Sequence, residues 1–212
     1  MSRNLAVLGK TASQGDFAPI SGNPAPSATV PIGSAQSSGA YTDLIRQLFN
    51  EPAAVAVIGS NSGSEQGVSR IAENLASELA TAGKRVIVVV VTRLLRMNPI
   101  AIPDETDLTP SINPQVWTWP APAGRKREVF KPRDTSGSGN WLDRLRRTFD
   151  AVLLDCPNVQ ETPGITEVAA MADAALLVVE AGRTSKKQVQ QDQCSLRLRG
   201  ATVAGFILVQ RS

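Results

Sequence analysis

Residues 55–83 constrain the fold more than any other stretch of the chain. An apolar run at residues 53–58 predicts a buried strand, and apolar residues at helical spacing predict an amphipathic helix at residues 69–82. Gly83 follows that helix at the position where glycine commonly ends one. A strand, a glycine-rich turn and a helix in this order are typical of the repeating unit of a parallel α/β sheet.

The turn between these two elements has the frame of a phosphate-binding loop. In a working loop, backbone N–H groups hold the phosphates, a lysine reaches the β and γ oxygens, and the hydroxyl after the lysine holds Mg²⁺. Here Gly63 and Gly67 supply the glycines and Ser69 supplies the hydroxyl, but Val68 stands where the lysine is needed. The pattern therefore predicts a degenerate, weak nucleotide site.

Two further residues are candidates for this site. Arg70 follows the loop serine, where its guanidinium either lies near a bound anion or is solvated, as first-turn arginines usually are. Asp155 follows the apolar run at residues 151–154 and either anchors Mg²⁺ or caps the next turn. We expect no catalytic residue and no metal site. Asp155 would be a metal ligand only if Mg²⁺ is bound.

The rest of the chain alternates strand and helix patterns. Further strands are predicted at residues 86–91, 115–119, 151–154, 175–179 and 203–209, with a helix at 41–49 and others around 141–149, 162–172 and 184–199. These repeats predict an α/β fold: a doubly wound, mainly parallel sheet with helices on both faces.

Composition suggests two regions. Residues 1–39 contain sixteen Gly, Pro or Ser and no periodicity, so we predict a disordered tail, dispensable for folding. Residues 40–212 are predicted to form one domain with a basic, proline-rich insert near 98–139.

Some classes of function and location are excluded or disfavoured by composition. The chain has no histidine, which excludes catalytic triads and metal sites that need one. Its two cysteines form no CxxC pair, as is typical of thiols in a reducing compartment. The longest apolar run is too short to span a membrane, and we see no signal peptide, so we expect a cytoplasmic protein.

Four segments of the chain resemble the cytoplasmic ATPase domain of bacterial tyrosine kinases of capsular and exopolysaccharide synthesis. They are residues 55–79, 150–157, 174–182 and 205–208. That family belongs to the deviant-Walker class of P-loop ATPases, with the partition and septum-site proteins. The resemblance covers roughly residues 40–210. It implies a P-loop NTPase fold, an ATP·Mg²⁺ site, and a ring-assembly helix at residues 41–49.

The differences from the family lie in its chemistry. The family's lysine corresponds to Val68, and its two aspartates after the next strand correspond to positions near Val90 and Thr92. An asparagine that reads adenine is replaced by Val209. We also expect no tyrosine-rich C-terminal tail, since the only tyrosine in the sequence is Tyr41.

These observations predict a catalytically degenerate P-loop protein that regulates or scaffolds bacterial exopolysaccharide synthesis and export, with no cofactor. The expected partner is a membrane-embedded chain-length or co-polymerase protein or a paralogous ATPase, with homo-oligomers and peripheral inner-membrane association as further expectations. The residues expected to contact partners are Arg46 and the basic group Arg125, Lys126 and Arg127; no nucleic acid is expected.

Two alternatives stay open. One is a divergent ATP-dependent tyrosine autokinase that binds ATP and Mg²⁺. In it, Arg70 or a lysine such as Lys84 would replace the missing P-loop lysine. The other is a nucleotide-free, partition-ATPase-like protein that binds membrane or DNA through its basic insert.

Overall fold

The fold is built around one eight-stranded sheet. The computed structural model describes residues 4–8, 42, 44–46, 48–49, 54–60, 65–96, 108–111, 113–120, 141–156, 164–180 and 183–210. The strands are β1 (Asn4–Leu8), β2 (Ala54–Ser60), β3 (Val86–Val90), β4 (Thr109–Pro110), β5 (Val116–Trp119), β6 (Ala151–Cys156), β7 (Ala174–Glu180) and β8 (Val203–Gln210). The helices are α1 (helical at residues 42, 44–46 and 48), α2 (Glu65–Thr81), α3 (Val91–Leu94), α4 (Trp141–Thr148), α5 (Ile165–Ala170) and α6 (Lys186–Leu198).

The strand order across the sheet is β1-β8-β7-β2-β6-β3-β5-β4. The six central strands are parallel, and the edge strands β1 and β4 run antiparallel to their neighbours. Chain order and spatial order differ at the centre, where β2 lies between β7 and β6. This arrangement confirms the predicted doubly wound, mainly parallel α/β fold.

Helices cover both faces of the sheet, which explains why the central strands are mainly apolar. On one face, α1 and α2 pack through a cluster that includes Leu44, Leu75 and Leu79. On the other face, α3, α4, α5 and α6 pack through a cluster that includes Trp141 and Ile165. The sheet is therefore the middle of three layers, and its two ends are the surfaces left for a site.

Several boundaries differ from the sequence predictions. Helix α2 begins at Glu65, so the residues interpreted as the end of a loop lie in its first turns. Helix α5 begins at Ile165 after Gly164, whose positive φ of 89° favours glycine, so the predicted cap at Thr162 is wrong. Gly83, with φ of 82°, follows α2 as predicted. The short elements α3 and β4 were not predicted.

The N-terminal prediction also needs correction. Residues 4–8 form β1, which pairs antiparallel with β8, so the prediction of a disordered tail over 1–39 is wrong for these five residues. An isolated five-residue strand is not evident from sequence because its partner is about 200 residues away along the chain. Residues 1–3 and 9–39 lie outside the described residues.

Candidate functional site

The candidate site lies at the carboxyl end of the sheet. Strands β2, β6 and β3 are parallel neighbours, so their carboxyl ends meet at Ser60, Cys156 and Val90. Helix α2 starts at Glu65, shortly after β2. In open parallel sheets, ligands bind beyond the carboxyl ends of the strands where the winding direction reverses, and β2 occupies that position here.

Ser69 and Asp155 meet at this end of the sheet. The Ser69 hydroxyl donates a hydrogen bond of 2.7 Å to Oδ2 of Asp155. Asp155 belongs to β6 and is only 3% exposed, so its carboxyl group is held within the site and does not lie in the following turn. The structure thus brings together Ser69 and Asp155, the two residues that the sequence motif predicts at the Mg²⁺-binding positions of a P-loop.

Val68 and Gly67 are buried at the start of α2. Val68 is 0% exposed and belongs to the apolar cluster that includes Ala56, Ile58 and Leu75. The side chain at the lysine position therefore packs into the core between α2 and the sheet. Val68 therefore contributes to packing, and it places no positive charge at the carboxyl end of the sheet.

Val90 lies beside Asp155 on the neighbouring strand. The two residues are partners in the β3–β6 register, and Val90 is half-buried. The chain then turns directly into α3, which contains the half-buried Thr92. Neither position contributes a carboxylate to the site.

Arg70 and Lys84 are the two candidates to replace the missing lysine, and the structure places neither side chain at the Ser69–Asp155 contact. Arg70 is exposed on α2. Lys84 precedes β3, so it lies at the amino end of the sheet, roughly 20 Å from the site at about 3.3 Å per residue of strand. Its ammonium group donates a 2.7 Å hydrogen bond to the carbonyl oxygen of Phe49. The suggestion that Lys84 replaces the missing lysine is therefore wrong.

The buried thiol of Cys156 adjoins the site. Burial, and secondarily the charge of Asp155, raise the pKa of this thiol well above its ordinary value of 9.0. Cys156 is therefore protonated at neutral pH, and its low exposure and neutral form make it a packing residue with no nucleophilic role.

Sequence analysis missed one carboxylate at this end of the sheet. Glu180 ends β7, is 3% exposed, and lies 3.5 Å from the guanidinium of Arg183. Its backbone N–H donates to the Thr184 hydroxyl, and the Thr184 N–H donates to its carbonyl, which closes the turn. The available signal was an acidic residue at the end of an otherwise apolar strand.

The remaining predicted residues are not part of this site. Gly63 lies outside the described residues, as do Arg125, Lys126 and Arg127. Arg46 is exposed on α1, a helix that buries Leu44 against the sheet.

The donor set can be tested against Mg²⁺. Mg²⁺ prefers oxygen ligands and is usually held by one or two carboxylates together with waters and substrate phosphates. Ser69 and Asp155 fit this requirement, whereas Val68 does not fit the triphosphate that would supply the other ligands. Among the described residues, no group of three His, Cys, Asp or Glu side chains is close enough to hold a metal.

Comparison with known proteins shows similarity at the level of structure. No protein-family model and no curated protein sequence matches the chain significantly. The kinase domain of the Escherichia coli tyrosine kinase ETK matches with a TM-score of 0.58 at 14% identity, covering 81% of this chain and 74% of that one. The BceF tyrosine kinase domain matches with a TM-score of 0.59 at 20% identity, covering 81% and 76%.

A third solved structure is the cell division ATPase MinD of Pyrococcus furiosus, with a TM-score of 0.51 at 16% identity, covering 73% and 70%. At these identities the likeness concerns the fold. The chain has the P-loop NTPase fold, as its sheet order and the Ser69–Asp155 contact independently suggest. In the part of the chain that the structure describes, no helix has both the length and the apolarity needed to cross a membrane.

Proposed function

We propose that this protein is a catalytically degenerate P-loop ATPase-like protein that regulates or scaffolds bacterial exopolysaccharide synthesis and export. The observation that carries the proposal is the position of Val68. This residue occupies the lysine's place in the motif, yet it is fully buried in the apolar cluster under α2.

The energetic argument concerns the groups that phosphoryl transfer needs. The reaction depends on positioning and on charge stabilisation by the lysine, the metal and its carboxylates. Loss of one comparable electrostatic contact typically costs about 2.7–4 kcal/mol of transition-state stabilisation. Here the lysine is replaced by Val68, and the positions near Val90 and Thr92 carry no carboxylate. The combined loss supports a role without turnover.

The pathway is inferred from resemblance. The sequence resembles the ATPase domain of exopolysaccharide tyrosine kinases, and two of the similar solved structures are tyrosine kinase domains. On this basis we infer a cytoplasmic protein at the inner-membrane surface. Its proposed partners are a membrane-embedded chain-length or co-polymerase protein, a paralogous ATPase, or further copies of itself.

One observation favours a second candidate function. The hydrogen bond between Ser69 and Asp155 preserves the metal-holding half of a P-loop site. This contact supports a divergent autokinase that binds ATP·Mg²⁺, with exposed Arg70 as the remaining candidate for the lysine's role. The likeness to the MinD ATPase similarly keeps a partition-ATPase-like function as an alternative.

Calorimetric titration with ATP·Mg²⁺ separates these candidates. If the protein is catalytically degenerate, we expect no saturable binding at millimolar nucleotide. The heat of titration should then be the same for the natural protein and Asp155→Ala. Saturable binding that needs Mg²⁺ and is lost in Asp155→Ala would favour the autokinase reading.

Association measurements test the scaffold role itself. Arg46 is exposed on α1, so we expect Arg46→Glu to weaken self-association or partner binding while leaving the melting temperature nearly unchanged. Charge reversal at Arg125, Lys126 and Arg127 is expected to weaken binding to anionic vesicles, more visibly at low salt. Sedimentation and pull-down experiments measure both effects. Unchanged association in both variants would contradict the scaffold proposal.

A further inference from the structure

The two edges of the sheet are protected to different degrees. The β4 edge is only two residues long and contains Pro110, which has no N–H to offer to another strand. The opposite edge is formed by β1, five residues without a proline or a charged side chain. Short strands, prolines and charges are the usual means by which proteins block pairing at an edge, and β1 has only the first of them.

Strand β1 joins the sheet through a single neighbour. Its register with β8 runs from Asn4 opposite Gln210 to Leu8 opposite Phe206, and β8 is its only partner among the described strands. Removal of β1 would leave the eight residues of β8 as the new edge, flanked only by β7. The side of β8 that receives β1 is therefore a surface for adding a strand by backbone hydrogen bonds.

The chain connection permits β1 to pair with a different molecule. Residues 9–41, 33 residues, separate β1 from the first helical residue of α1. Fully extended, this length of chain spans up to about 110 Å, which exceeds the width of a single compact domain of this size. The β1 strand of one copy can thus reach β8 of a neighbouring copy.

We propose that β8 is a strand-acceptor site and that its intermolecular occupant is β1 of a second copy of this chain. The second copy is the partner whose strand is known to match, since the β1–β8 register is already formed within one chain. Exchange replaces intramolecular backbone bonds with identical intermolecular ones, so protein concentration sets the balance between them. Strand exchange joins neighbouring copies wherever they are held close together, and it does not depend on nucleotide chemistry.

Disulfide trapping between full-length chains tests this proposal. Ala6 and Leu208 are register partners, and directly opposed residues of antiparallel strands have Cβ atoms about 4.5–5.5 Å apart, close to the separation a disulfide needs. One chain carries Ala6→Cys and the other Leu208→Cys. Both chains also carry Cys194→Ser because Cys194 is exposed, whereas Cys156 is buried.

The matched control replaces Leu208→Cys with Ala204→Cys. Ala204 is also half-buried on β8 but lies two residues before Phe206, where the β1 register ends. We expect the mixed disulfide of the Ala6→Cys and Leu208→Cys chains to form about tenfold faster than the control pair, since bridging demands close Cβ atoms. Its initial rate is expected to rise with protein concentration.

Three results would overturn the proposal. Equal rates for the register pair and the control would show random collision. Dominant linkage between two Ala6→Cys chains would show that β1 strands pair edge to edge without exchange. Failure of a single chain carrying both Ala6→Cys and Leu208→Cys to form an internal disulfide would show that β1 does not occupy β8 at all.

Discussion

The two ends of the central sheet use charged residues in different ways. At the amino end, Asp173 contacts two residues and Asp150 contacts two groups of one residue. Asp173 accepts hydrogen bonds of 2.7 Å from the Val55 N–H and 2.8 Å from Arg146. Asp150 accepts a 2.8 Å bond from the Arg85 N–H and lies 3.9 Å from the same residue's guanidinium. These carboxylates fasten strands and helices together.

At the carboxyl end, apolar side chains stand at two of the positions where the resemblance to P-loop ATPases calls for charged ones. Asp155 is buried beside the Ser69 hydroxyl and opposite Val90, and Val68 packs in the core. In the described residues, these aspartate contacts lie at the end of the sheet opposite the candidate site. We therefore expect the carboxylate of Asp155 to matter less for stability than that of Asp173.

Val68→Lys is expected to have the largest effect. Because Val68 is 0% exposed, the change places an ammonium group in an apolar cluster, and we expect a loss of about 3–5 kcal/mol in the free energy of unfolding. Urea denaturation measures this loss, and Val68→Met controls for side-chain size. Unchanged stability with newly acquired ATP·Mg²⁺ binding would contradict the packing role of position 68, because its side chain would then face the site.

Asp173→Ala tests the amino end. The change leaves the Val55 N–H and the Arg146 guanidinium without this acceptor, and we expect a cost of about 1–3 kcal/mol, moderated by solvent because the Asp173 side chain is 51% exposed. Glu73→Ala, an exposed acid on α2, is the control and is expected to change stability by less than about 0.5 kcal/mol. Equal effects of both substitutions would contradict the fastening role.

The alternating strands and helices were predictable because their apolar patterns are local and match the burial of a three-layer fold. The central strands β2, β3, β6, β7 and β8 all coincide with predicted apolar runs to within two residues. Strand β1 was not predictable, since its five residues gain their structure from β8 at the other end of the chain.

The sequence selects the residues of the candidate site, but it does not give their geometry. Ser69, Val68 and Asp155 follow from motif spacing, whereas the burial of Val68 and the pairing of Val90 with Asp155 depend on tertiary packing. Lys84 shows the limit of reasoning from residue type, because its location at the amino end follows from the direction of β3.

Asp155→Asn tests the carboxyl end by the same stability measurement. The amide oxygen can still accept the Ser69 hydrogen bond, and the substitution removes a buried negative charge. We expect the free energy of unfolding to stay within about 1 kcal/mol of the natural protein, with any change in the stabilising direction. A loss as large as that of Asp173→Ala would show that both ends fasten the fold.

The raised pKa of Cys156 is expected to change the free energy of unfolding only in alkaline solution. Its pKa is raised in the folded protein, so the folded state retains this proton above pH 9.0, where the unfolded state loses it. The resulting stability is present below that pH and is lost progressively as the pH rises further. Cys156→Ala is expected to flatten the stability profile above pH 9.0, as measured by urea denaturation. An unchanged slope would contradict the assigned burial effect.

Steady-state ATP hydrolysis, measured beside Asp155→Ala, decides whether the protein turns over nucleotide. We expect the natural protein and the variant to give the same background rate, because Val68 leaves the γ-phosphate without a lysine and Asp155 alone does not support transfer. The assay contains Mg²⁺ and millimolar ATP, with parallel detection of phosphotyrosine. Hydrolysis or tyrosine phosphorylation by the natural protein that exceeds the Asp155→Ala rate would show that the protein is an active enzyme.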